Sequence, residues 1–294
     1  MVYFKDRQSV FFSLLTSIIV LVLYILFLKK TYVDSMNGIL NSYEGLSLLI
    51  SEADINSFAN LVMLTGILGS AMITVPYNCL TLLVSDKENK IDYDIISTPV
   101  KRGQIILSYF VSAAVSSVIM TGIILTAGLF IAKMQGTLFL GTSGVLAAYG
   151  IVALGSISAT ALFMLFIQFF KSESACGAFF GILSAASGFI IGAYIPISQF
   201  SDGVQTICNI FPASQITILF RNVLLNGVLE HMNSSLGGMD GGMFAASLKN
   251  VFTFKASAFG KEFGISSMLV YVVALLGASI VAQVLIYKKT YKKK

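Results

Sequence analysis

Residues 59–84 read ANLVMLTGILGSAMITVPYNCLTLLV, 26 consecutive positions from Ala59 to Val84 without one Asp, Glu, Lys or Arg. Coiled as an α-helix they rise about 39 Å, more than the roughly 30 Å of a bilayer's hydrocarbon core. In lipid no water is available to the backbone, and a helix satisfies its own N–H and C=O groups. Five windows of the same kind lie around it, at 10–28, 105–132, 144–170, 175–197 and 264–287, none with a charge in its interior. The expected fold class is all-α integral membrane, with six transmembrane helices.

Composition agrees. The chain has 294 residues, of which 11% are charged, where a water-soluble domain carries about 25%. Mean hydropathy is +0.86. The net charge of +5 does not point to nucleic acid, because the Lys and Arg residues cluster beside the apolar windows. The first window is too long for a signal-peptide core and no small-residue cleavage site follows it, so it is read as retained. Cys79, Cys176 and Cys208 are odd in number and form no CxxC pair, and are read as apolar packing residues.

The basic residues also orient the chain. With the N-terminus inside, the inner segments hold twelve Lys and Arg: Lys5, Arg7, Lys87, Lys90, Lys101, Arg102, Lys171 and the five lysines from Lys288 onward. The outer segments hold seven, four of them in one long region where the rule weakens. Both termini are therefore expected to be cytoplasmic. Tyr24, Tyr109, Tyr149, Tyr194, Tyr271 and Tyr287 fall near span ends and suit an interfacial belt.

A single transmembrane domain over 1–294 follows, with 1–9 an N-terminal interfacial segment, 85–104 cytoplasmic and 198–263 extracellular. That last region is broken by Pro196, Asn209 and Pro212. After Phe211-Pro212-Ala213-Ser214, which resembles a helix start, Ile216, Leu219, Phe220, Val223 and Leu224 keep helical spacing. The stretch is too short to span and reads as a re-entrant or interfacial helix pair. Gly237 to Met243 is glycine-rich and read as a loop. In the fifth window Gly177/Gly181 and Gly188/Gly192 form small-xxx-small pairs, read as packing within the chain in preference to contact between copies.

Absences narrow the chemistry. No ionisable residue lies inside a span, which disfavours a proton-coupled carrier. The single histidine, His231, sits in the outer region and is read as solvated, offering no metal site and no catalytic dyad. Gly260-Lys261 is followed by Glu262, so no Walker loop is present. The chain is expected to have no ATPase site of its own and to hold no cofactor; a nucleotide-driven process needs another polypeptide to bind ATP and Mg.

Two inner segments invite a partner. Met1 to Ser9 mixes aromatic and basic residues directly before the first span, which suits rings in the headgroups with Lys5 and Arg7 in water. The second, Ser85 to Gln104, carries Ile91, Ile95 and Ile96 at helical spacing, stops at Thr98-Pro99, and continues with Lys101 and Arg102. A short amphipathic helix with charged flanks is a docking surface for a soluble protein, or else a solvated loop whose charges set topology.

These segments, in this order, resemble the permease subunit of ABC type-2 exporters over nearly the full length. Phe4-Lys-Asp-Arg-Gln-Ser-Val-Phe-Phe resembles that family's elbow helix. Asp92-Tyr-Asp-Ile-Ile-Ser-Thr-Pro-Val-Lys-Arg-Gly-Gln-Ile-Ile resembles its first coupling segment. Asn209-Ile-Phe-Pro-Ala-Ser214 and Leu219-Phe-Arg-Asn-Val-Leu-Leu225 resemble its broken outer helices between spans five and six. The resemblance implies a second permease copy or homologous permease, and a soluble ABC ATPase subunit contacted through Asp92, Ile95, Ile96, Pro99, Lys101 and Arg102. The short link from Lys171 to Ser174, with Lys171 and Glu173, would form the second coupling element.

Pro76, Tyr77 and Asn78 in the second span are read as a bend and a polar contact on the substrate path, or alternatively as helix packing with one hydrogen bond. A path lined by apolar and hydroxyl side chains suits a hydrophobic drug, a peptide or a lipid-like molecule. Two rivals stand beside the exporter: a non-transporting scaffold or sensor subunit using the large outer region, and an intramembrane enzyme, which the lack of buried ionisable groups disfavours.

Overall fold

The computed structural model describes residues 3–5, 7–41, 49–91, 94, 99–135 and 138–290. A single turn, Tyr3–Lys5, precedes helix α1, Arg7–Leu23. The helix then widens into one π-helical stretch at Tyr24–Leu28 and continues as α2, Lys29–Asn41. Helix α3 is Glu52–Glu88, α4 Arg102–Met134, α5 Thr142–Ile167, α6 Glu173–Ile190, α7 Asp202–Ile210, α8 Pro212–Leu224, α9 Asn226–Ser235, α10 Met243–Val251 and α11 Ile265–Thr290. Strands β1, Ala256–Ala258, and β2, Lys261–Phe263, form a small antiparallel hairpin before α11.

Among the described residues six helices are long and apolar enough to cross a membrane, and α7 with α8 makes a further pair bent by 91°. The expected six-helix bundle and the broken outer helices are both present.

Two boundaries depart from the hydropathy reading. The first helix does not stop with its apolar run at Leu28. Beyond it, Tyr32, Met36 and Leu40 are buried at four-residue spacing, so a polar segment stays helical by packing one narrow stripe against α3 and α10. The fifth span ends at Ile190 instead of Ile197, because Gly192 takes a left-handed φ of +68°. No Cβ fits there: it would lie 2.8 Å from Ile197.

Helix α3 is the axis of the bundle. Its 18-residue apolar window is 83% buried, against 17% for α11 and 22% for α6. Ser51 caps its start, the hydroxyl accepting from Asp54 N–H at 3.1 Å, with Glu52 and Asp54 favourably placed in the first turn. At 37 residues it is about 55 Å long, well beyond the roughly 30 Å of a bilayer's hydrocarbon core. The helix runs through Pro76 without a break, although proline removes the hydrogen bond that position 76 would give to residue 72.

The bent pair docks against this axis on small residues. Pro212 occupies the first turn of α8, where its missing N–H costs nothing. Its residues Pro212 to Arg221 are all buried. A Cβ on Gly69 of α3 would fall 2.1 Å from Thr217 Oγ1, and one on Gly155 of α5 would fall 2.9 Å from Ile216. Glycine at both positions lets α8 approach closely. The pairs expected to pack within the chain behave differently. Gly177 and Gly181 of α6 meet nothing within 4 Å, and only Gly188 and Gly192 pack internally, against Tyr194 and Ile197.

Candidate translocation site and coupling surface

The N-terminal face of the bundle gathers the inner end of α3, the start of α6 and the first turn of the chain. Glu88 accepts a hydrogen bond from the Glu173 backbone N–H at 2.6 Å. Lys87 donates to the Gln168 carbonyl at 2.5 Å, and Tyr109 of α4 donates to the Asp86 carboxylate. Ser172 caps α6 by accepting from Ala175 N–H. The short α5–α6 link is thereby tied to α3, while the Lys171 and Glu173 side chains remain exposed.

Lys101, exposed, begins α4, and the Gln104 side chain accepts from its backbone N–H at 3.2 Å. Pro99 and Val100 are exposed beside it. Asp92, Ile95 and Ile96 lie outside the described residues, and so does the side chain of Arg102.

Behind this face is a cavity of about 470 Å³. It is lined by Tyr3, Phe12, Asn78, Ser85, Glu173 and Phe180, among others. Tyr3 packs against the chain itself. Its ring is buried and its hydroxyl donates to Ser13 at 2.7 Å, so the opening turn closes one side of the cavity.

The three span-two residues separate here. Pro76 is buried in the helix interior. Tyr77 is fully buried and faces α6: its hydroxyl donates to the Cys176 carbonyl at 2.9 Å, and its ring stacks on Phe180 with centroids 5.5 Å apart. It is a packing residue. Asn78 lines the cavity, 7% exposed, and its Nδ2 has no hydrogen-bond partner among the described residues. A buried amide without a partner is costly, and of the three residues Asn78 alone lines the cavity.

The opposite face is organised by a residue that sequence reading treated only as an outer charge. Arg221 of α8 is 1% exposed. It donates to Gly192 and Ile191 carbonyls at 2.7 and 3.4 Å, and to Phe252 and Thr253 carbonyls at 2.8 and 3.4 Å. These carbonyls follow the C-terminal ends of α6 and α10, where the helix dipoles are negative. One guanidinium thus replaces a carboxylate partner with two helix ends.

Asn209, also buried, seals the α7–α8 bend: it donates to Ser257 O at 2.8 Å and accepts from Ser214 at 2.9 Å. Asn222 reaches Phe254 O, and Tyr32 reaches Ala193 O. His231 is solvent-exposed, as expected, but it is not in a loop. It lies on α9, stacks on Phe139 at 4.3 Å, and sits 3.5 Å from Asp54 at the start of α3. Cys79, Cys176 and Cys208 are all buried and free.

Six helices long and apolar enough to cross a membrane, with a bent helix pair packed among them, define a multi-pass membrane protein. Residues 29–288 match the family described as ABC-2 family transporter protein, and the chain belongs to that family. No curated protein matches the sequence.

Proposed function

We propose that this permease forms the substrate path of an ATP-driven exporter, powered by a separate ABC ATPase that binds ATP and Mg. The observation that carries this reading is the position of Glu173. Its backbone is bonded to the end of α3, its side chain is exposed at the α5–α6 link, and it lines the cavity into which Asn78 projects. A push on the link from a soluble partner therefore reaches the cavity wall directly, with no intervening element.

The cavity walls combine aromatic rings, hydroxyls and one free amide donor, which suits an amphiphile with an apolar body and a carbonyl or hydroxyl to meet Asn78. On this reading the exposed Lys101, the neighbouring Arg102 and the 85–104 segment form the rest of the ATPase footprint, the N-terminal face is cytoplasmic and the membrane is a bacterial plasma membrane. Gly177 and Gly181, small and uncovered, support a second permease copy packing against α6.

Purification of the tagged chain in mild detergent from its native host tests the coupling. A soluble Walker-loop protein should copurify, with ATPase activity, and the double variant Lys101→Glu/Arg102→Glu should lose most of both. A clean preparation without such a partner sinks the reading.

A further inference from the structure

A second cavity lies away from the translocation site, between α1, α3 and α4, with a volume of about 630 Å³. That is within the roughly 300–1,000 Å³ of small-molecule sites. Its walls are aliphatic: Leu14 and Ile18 on α1, Leu64 and Ile67 on α3, Ile123 and Ile131 on α4. Ile18, Ile123 and Ile131 are exposed along its rim, so it opens sideways. From Leu14 to Lys29 it runs about 22 Å at helical rise, longer than the roughly 15 Å of one leaflet's hydrocarbon. The shape is a groove for a chain, not a pocket for a compact molecule.

One end differs. Lys29 lines the groove there, with no carboxylate partner among the described residues. Beside it, Tyr24 donates to Asn60 at 3.3 Å and Asn60 donates to Gln135 at 3.4 Å, joining the three helices by polar contacts. Lys30, the next residue, is exposed and lies outside the groove. An aliphatic channel ending in a cation and neutral hydrogen-bonding groups is complementary to one class of bilayer molecule.

We propose that this groove binds an anionic phospholipid, one acyl chain between α1, α3 and α4 and the phosphate at Lys29. The site is independent of the translocation cavity and of the ATPase.

The sequence contains no Trp, so a single introduced indole is an unambiguous reporter. Ile131→Trp places one in the groove, and Val270→Trp places one on the exposed face of α11 as a bulk-lipid control. Each full-length variant is reconstituted in liposomes with a minor fraction of dibrominated phosphatidylglycerol in phosphatidylcholine, and separately with the same fraction of dibrominated phosphatidylcholine.

The anionic quencher should quench the groove reporter at least twofold more than the control. The neutral quencher should act equally on both. Lys29→Gln should remove the excess, Lys29→Arg should keep it, and Lys30→Gln should leave it unchanged. Equal quenching at the two positions, an excess that survives Lys29→Gln, or a groove reporter shielded from both lipids by a second copy would each overturn the proposal.

Discussion

Arg221 carries more of the structure than its place in the sequence announces. The apolar stretch around it marks a helix, and the spacing of Ile216, Leu219 and Phe220 is legible. Its four carbonyl partners lie about thirty residues away on either side, so no local pattern reveals them. Arg221→Met removes five donors and strands buried carbonyls, each costing about 1–3 kcal/mol when unmet. Destabilisation of at least about 3 kcal/mol is expected, seen as a lower melting temperature in detergent. Arg221→Lys should recover only part, because an ammonium lacks the planar fork that spans two helix ends. Full recovery with Lys would refute the two-ended clasp. Asn78 behaves in the opposite sense. Its Nδ2 has no partner to lose, so Asn78→Leu should leave the melting temperature unchanged or raised while substrate-stimulated ATPase activity in the reconstituted complex falls. A clear loss of stability would show that the amide is structural.

At the scale of elements, hydropathy locates helices in lipid but not the helices that leave it. All six apolar windows correspond to spanning helices, since each must satisfy its backbone internally. Helix α2 was hidden because its mean polarity masks a stripe of three buried side chains. The glycines divide in a way that spacing alone does not show. Those that receive α8 are Gly69 and Gly155, while the regular pair Gly177/Gly181 faces open space. Gly69→Val should therefore cost about 1–3 kcal/mol by overpacking against Thr217, read as a drop in thermal stability of the detergent-solubilised chain. Gly181→Val should leave that stability alone and weaken association between copies, measured by cross-linking in membranes. If the two variants act alike on monomer stability, the division is wrong.

For the whole molecule, the two faces have different tasks, and the physical contrast between them is a prediction about topology. The N-terminal face joins α3 to the α5–α6 link by Glu88 and Lys87 and leaves Lys101, Lys171 and Glu173 exposed. The opposite face is locked: α6, α8, α10 and the hairpin converge on Arg221 and Asn209, and the hairpin tip exposes Phe259, whose φ of 52° beside Gly260 at 71° forms the tight two-residue turn. The excess of Lys and Arg in the segments of the N-terminal face predicts that this face is cytoplasmic. Single cysteines test this cleanly, because the three native thiols are buried and burial raises the Cys208 thiol above its ordinary pKa, leaving little reactive thiolate. In intact cells a membrane-impermeant maleimide should label Phe259→Cys and spare Lys5→Cys, with Lys5→Cys reacting only after permeabilisation. The reverse pattern would invert the chain in the membrane, put the ATPase footprint on the wrong side, and remove the mechanical basis for coupling through Glu173. Labelling of both positions in intact cells would deny that the bundle separates two compartments in the order of helices described.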